Sequence, residues 1–247
     1  MLVYFYLELI KLKRRSFFLA LISLLVVSIL WASTISLKGL DRVQTSLMPI
    51  YDISIINTMI MPLFISIFSS RLMELEHSGK TFKLLQTNNE SSWQLFKAKY
   101  LFMSIVSFIV ASIQVIYLSI FLKQNHLLSA FNYLLLYIIS FVSVSVFLSL
   151  IHLYLSFKHS NQSITIIFGL IGSFVALVTG GMLPKIVTIF IPWQYYILAS
   201  PVNRLTKNSS YVFQLDQYFF IKIILLLIFT LLCFFMVKKE IKKENLI

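Results

Sequence analysis

Cysteine occurs once, as Cys233 inside an apolar run, so no disulfide can form within the chain and no cysteine zinc site can be built. Charged residues make up only 12% of the 247 positions, and Asp and Glu together number 9. That is too little charge for the surface of a soluble domain. Glycine (6) and proline (5) are also scarce. Few breakers leave long helices, the elements that satisfy their own backbone hydrogen bonds in lipid. The four histidines, His77, His126, His152 and His159, fall on different loops and helices. Only His152 and His159 share a face, short of the three or four ligands of a usual metal site.

What is present is hydrophobic: 59% of the chain, 23 phenylalanines and a mean hydropathy of +0.89. These values describe a membrane protein. The net charge of +12 could signal nucleic acid, a membrane surface or basic cytoplasmic loops. Its distribution decides. Stretches that cross roughly 30 Å of hydrocarbon need about 20 residues nearly free of charge, and such stretches fall at 16–37, 53–70, 100–122, 131–156, 163–183 and 219–237. The second is expected to kink at Pro62, and Lys222 at one end of the sixth is expected to snorkel to the headgroups.

Residues 186–203 are uncharged too, but Pro192, Pro201, Trp193, Tyr195 and Tyr196 read as an interfacial element rather than a seventh span. With six spans and both ends cytoplasmic, 14 of the 21 basic residues lie inside, the C-terminal Lys238, Lys239, Lys242 and Lys243 among them. A seventh span would strand those four lysines outside. The expected fold is therefore an all-α membrane protein of six transmembrane helices. The basic excess is explained without nucleic acid.

Outside the spans, residues 1–15 place Leu2, Tyr6, Leu9 and Lys13 on one helical face, the pattern of an interface helix on the inner leaflet. The largest cytoplasmic loop, 71–99, sets Leu72, Leu75, Phe82 and Leu85 among charges, so short helices there can offer an apolar knob to a soluble partner. Trp93 and Phe96 then anchor the approach to the third span. Its competing description is an ordinary solvated connector.

Tempting catalytic motifs fail. Ser78-Gly79-Lys80-Thr81 ends like a phosphate-binding loop, but the earlier glycine that the loop needs is Glu74. Asp52 and Asp216 lack the context of a paired-aspartate protease. Gly172-Ser173 lacks a glycine pattern and a histidine base. Inside the spans, Asn57, Gln114 and Ser143 are candidate substrate-pathway residues, because polar groups in lipid are costly. Interhelical hydrogen bonding is the plainer use, also for Ser140, Ser145 and Ser149. On the fifth span Gly169, Ser173, Ala176 and Gly180 form a small-residue stripe suited to close helix packing.

One combination is more specific. Glu-x-Glu-x-x-Gly-x-x-x-Lys-Leu-Leu from Glu74 to Leu85 follows the second span, Lys-Ala-Lys-Tyr leads into the third, and Ile191-Pro192-Trp193 lies between the fifth and sixth. This resembles the permeases of ABC-2 type ABC transporters, and within them the E-type or G-type permeases of lantibiotic self-immunity. The resemblance implies a non-catalytic half-transporter with no cofactor of its own, ATP and Mg being held by a separate ABC ATPase dimer. It implies a coupling helix carrying Glu74, Glu76, Gly79, Phe82, Leu84 and Leu85, and outer re-entrant helices over 184–218. It further implies pairing with a second six-span permease in a bacterial cytoplasmic membrane, a Gram-positive one, and an amphiphilic bacteriocin peptide as cargo. The alternatives are a permease for another drug, lipid or polymer precursor, and a non-transport membrane scaffold.

Overall fold

In the computed structural model the described residues are 17–40, 43–79, 81, 91–127, 131–179, 185–207 and 210–244. The expected interface helix over 1–15, Lys80 and residues 82–90 of the segment between the second and third spans, and Gly180 lie outside them. The chain runs as α1 (Phe17–Leu40), α2 (Leu47–Ser78), α3 (Ser92–Gln124), α4 (Phe131–Lys158) and α5 (Ser163–Thr179). Two single-turn helices follow, α6 (Lys185–Thr188) and α7 (Tyr195–Leu198), with a 3₁₀ turn at Pro192–Gln194 between them. The strands β1 (Val202–Lys207) and β2 (Ser210–Leu215) then lead to α8 (Phe219–Glu244).

Five of these helices, α1, α2, α3, α4 and α8, are long and apolar enough to cross a membrane. The fifth expected span, 163–183, corresponds to α5, whose 17 described residues end at Thr179. Side chains such as Leu30, Phe108, Ile116, Phe174, Leu225 and Leu232 stand exposed around the outside of the bundle. An apolar belt of that extent marks a protein that sits in a membrane.

The bundle is built around α2. In its most apolar 18-residue window 78% of residues are buried, against 17% in α8. α1, α4 and α5 all pack on it, α3 packs on α4, and α8 lies along the outside of α4 and α3. At 32 residues α2 is about 48 Å long. It continues through Pro62, the site of the expected kink, as one helix. Pro49, near its start, sits in the first turn, where a missing N–H costs no helical bond.

Three expectations are corrected. The stretch 71–99 is not a loop throughout, because α2 runs on to Ser78 and α3 begins at Ser92, each a continuation of its span. The protein is not purely helical, since the outer region ends in an antiparallel hairpin with Val202 opposite Leu215 and Lys207 opposite Ser210. Helical turns occupy only its first part. Lys222 does not reach outward to headgroups: its ammonium donates to the Leu198 carbonyl at 3.1 Å and pairs with Asp216. These bonds staple the start of α8 to the element before it.

Candidate functional site

Three polar contact sets join α2 to its neighbours, and the expected topology puts the first of them, at the Glu76 end, on the inner side. At the inner end the last turns of α2 and the first turns of α3 bury Leu72, Met73, Trp93 and Phe96 against each other and their neighbours. Within that apolar contact Lys99 Nζ lies 2.9 Å from Glu76 Oε1, with the two side chains 0% and 1% exposed. Such a carboxylate is tolerated out of water only with its cation in contact. His77 Nε2 lies 3.0 Å from the Ser156 carbonyl of α4. The Gln162 amide donates to that same carbonyl at 3.0 Å and to His159 O at 2.7 Å. Phe96 meets Phe157 edge-on at 5.9 Å, and Trp93 meets Phe234 of α8 at 5.0 Å. Four helices, α2, α3, α4 and α8, are thus joined at this end of the bundle.

The expected coupling residues separate here. Glu74 is at the surface, in a 2.6 Å ion pair with Arg71, and Gly79 is exposed. Glu76 points inward to Lys99. Phe82, Leu84 and Leu85 lie outside the described residues.

At mid-membrane the expected pathway residues Asn57 and Gln114 meet, both fully buried. Asn57 Nδ2 donates to Gln114 Oε1 at 3.1 Å and to the Tyr137 hydroxyl at 2.8 Å, while Gln114 Nε2 returns a bond to Asn57 Oδ1 at 3.1 Å. The Tyr137 hydroxyl donates to Gln114 Oε1, and Ser28 Oγ donates to Asn57 Oδ1 at 3.2 Å. One neutral knot therefore ties α1, α2, α3 and α4. Ser143 stands apart, with its hydroxyl bonded to the Ile139 carbonyl of its own helix at 2.7 Å.

On the outer side the segment from α6 to α7 is wedged among α2, α4 and α5. Ser145, at the middle of α4, shares a 2.8 Å hydrogen bond with the Tyr196 hydroxyl, and Ser140 donates to the Ala199 carbonyl at 2.8 Å. Tyr195 stacks on Phe147 at 5.5 Å, and Gln194 donates to Thr179. Trp193 lies flat on α5: a Cβ on Gly172 would fall 2.2 Å from its ring. Gly169 does the same service against α2, where a Cβ would fall 2.1 Å from Ser66 Oγ. Ser173 and Ala176 are buried as well. The hairpin closes through Asp216 N donating to Pro201 O at 2.9 Å.

Between the outer halves of α1, α2 and α5 and this wedge lies a cavity of about 370 Å³, bordered by Trp31, Tyr51, Met59, Leu177, Arg204 and Lys222 among others. Arg204 is held by aromatic rings: its guanidinium carbon is 4.8 Å from the Tyr211 centroid and 5.4 Å from that of Tyr51. Strand register explains the first contact, since Arg204 is paired with Phe213 and Tyr211 is its diagonal neighbour on the same face.

Sequence reasoning missed Lys99, Tyr137, Gly172 and Arg204 as site residues. Lys99 and Tyr137 carried a usable signal, each being a polar group in line with the buried face of its helix. Among the described residues no group of three or more His, Cys, Asp or Glu could hold a metal ion. Among the described residues these contacts join helices to one another. No curated protein matches the chain, and no solved structure does. Residues 4–176, well over half of the chain, match the family described as ABC-2 family transporter protein. The protein therefore belongs to the ABC-2 transporter family, as a non-catalytic integral membrane permease subunit whose ATPase is a separate partner.

Proposed function

We propose that this permease serves bacteriocin self-immunity, expelling a lantibiotic-type amphiphilic peptide from the outer part of the membrane of a Gram-positive bacterium. The proposed arrangement has six spans with both ends cytoplasmic, α5 extended by the residues after Thr179, and a second six-span permease beside it. The ATPase dimer engages the segment between α2 and α3 through Glu74, Gly79, Phe82, Leu84 and Leu85. Glu76 has a different part: paired with Lys99, it holds the two helices as one lever.

The observation that carries this reading is α2 itself. Its inner end is fixed to α3 by the Glu76–Lys99 pair and to α4 through His77. Near its outer end Ser54 accepts a 3.3 Å hydrogen bond from Ser200, just after the wedged turns. A displacement of the inner hairpin on ATP-driven closure reaches the outer element through one rod, a rigid-body coupling of the kind seen in domain switches. A wedge that opens on the outer half of the bundle suits a cargo taken from the membrane. The peptide class rests on the sequence resemblance at Glu74–Leu85 and Ile191–Trp193.

The test is expression with the ATPase and the second permease in a sensitive host, challenged with candidate lantibiotics. Protection that disappears with Leu85→Asp or Glu76→Lys supports the reading. Protection against an unrelated drug and none against any peptide assigns a different cargo. Full protection by both variants removes the coupling assignment.

A further inference from the structure

We infer that the outer cavity binds an anionic membrane phospholipid, the phosphate resting on Arg204 and an acyl chain running along the wall formed by Ile55, Met59 and Leu177. The inference does not depend on which cargo the transporter moves. It starts from the two cations at the cavity. Lys222 is already satisfied by Asp216 and the Leu198 carbonyl. Arg204 is different. Tyr51 and Tyr211 engage its guanidinium as a cation held by rings, while among the described residues its N–H groups donate to no acceptor and it forms no ion pair. The acid next to Tyr51, Asp52, makes its hydrogen bond to α1, accepting from Ser36 Oγ at 2.8 Å, and interacts with Arg204 through its field without forming an ion pair with it. Arg204 is exposed at the rim of the cavity, and a guanidinium oriented there by aromatic contacts, with N–H groups that no protein acceptor takes, suits an oxyanion arriving from the membrane surface, best a phosphate taken through two N–H bonds.

The rest of the cavity selects what is attached to that phosphate. Ile55, Met59, Leu177 and Ile197 line it with hydrocarbon. About 370 Å³ is near the small end of the roughly 300–1,000 Å³ range of small-molecule sites. That is room for a headgroup and the upper part of one chain, and too little for a folded peptide. The lining is also continuous with the bilayer surface, since Leu177 is 50% and Trp31 38% exposed on the outside of the bundle. The remainder of the tail leaves sideways into lipid.

Trp31 supplies the readout. The full-length permease with its ATPase is placed in nanodiscs of phosphatidylcholine containing a fixed fraction of phosphatidylglycerol, with either one or the other lipid brominated. The Trp31→Phe variant is subtracted to isolate the quenching of Trp31. Brominated phosphatidylglycerol is expected to quench more than its mole fraction predicts. The preference over phosphatidylcholine should be about fivefold, equivalent to about 1 kcal/mol for one basic side chain at an anionic surface. Arg204→Gln should remove it and Arg204→Lys should retain part of it. Equal quenching by the two lipids, or a preference unchanged in Arg204→Gln, overturns the inference. Relief of quenching by millimolar inorganic phosphate shows a free-anion site, and relief by an amphiphilic cationic peptide at constant lipid shows a peptide site; either result overturns it.

Discussion

α2 makes two fully buried polar contacts that differ in kind. At its inner end Glu76 meets Lys99 as formal charges; about five turns along the same helix Asn57 meets Gln114 and Tyr137 with no charge at all. The difference follows from depth. Near the inner edge of the bilayer, both ions come from helix ends that extend past the apolar spans, where a charged group folds in at modest cost. At mid-membrane an ion would stand far from any water, and amide and hydroxyl groups satisfy one another instead. The two contacts therefore fail differently: removing half of an ion pair leaves a bare charge, whereas removing one member of the neutral knot leaves the others still bonded.

The comparison is broken most severely by Lys99→Met. Glu76 then loses the ammonium 2.9 Å from its carboxylate, and a loss of about 3–5 kcal/mol is expected, seen as a large fall in the thermal midpoint of the detergent-solubilised transporter. An unchanged midpoint would mean that the pair is not closed in the membrane. The Glu76→Lys/Lys99→Glu exchange should recover most of the loss. Next in size is Gly172→Ala. Its new methyl would meet the Trp193 ring, so about 1–3 kcal/mol is expected, with a shift in Trp193 emission that Gly172→Ala shares with no substitution on the lipid-facing side of α5. An identical emission spectrum would place Trp193 elsewhere.

Tyr137→Phe is milder. Asn57 and Gln114 still exchange two bonds, and a cost of about 0.6 kcal/mol, the average for interhelical hydrogen bonds in a membrane, is expected in unfolding titrations. A loss as large as that of Lys99→Met would show that the knot, and not the ion pair, is the dominant contact. The smallest effect on stability is expected from Glu76→Met with Lys99→Met together, since a buried pair replaced by apolar chains of similar volume is about neutral. ATP-driven export measured on that double variant separates holding the helices from transmitting force. Stability and export both intact would reduce the pair to a packing device.

Hydropathy made the membrane spans legible, because about 20 uncharged residues in a row admit few other structures. Helix ends were not legible. Charges at Glu74, Glu76, Lys97 and Lys99 read as parts of a loop, yet Leu72, Met73 and Glu76 continue the buried stripe of Phe68 and Ser69 about two turns further. Periodicity carried that information where hydropathy did not. The hairpin was concealed in a similar way. Two six-residue segments of mixed Val, Leu, Thr, Tyr and Phe flank Asn208-Ser209, a strand–turn–strand pattern, but the nearby Pro and Trp residues drew the whole region into a single re-entrant reading. Glu76 was read as part of an exposed contact surface: only tertiary packing shows that this acid faces a lysine 23 positions later.

Because α2 has no break between Leu47 and Ser78, its two ends share one rotational phase. Adding a single residue between Asn57 and Glu76 would swing the acid about 100° around the axis, out of reach of its partner, while seven added residues would return it to within about 20° at a greater height. The helix thus behaves as a keyed shaft, and its length in residues is as much a part of the machine as the side chains at either end.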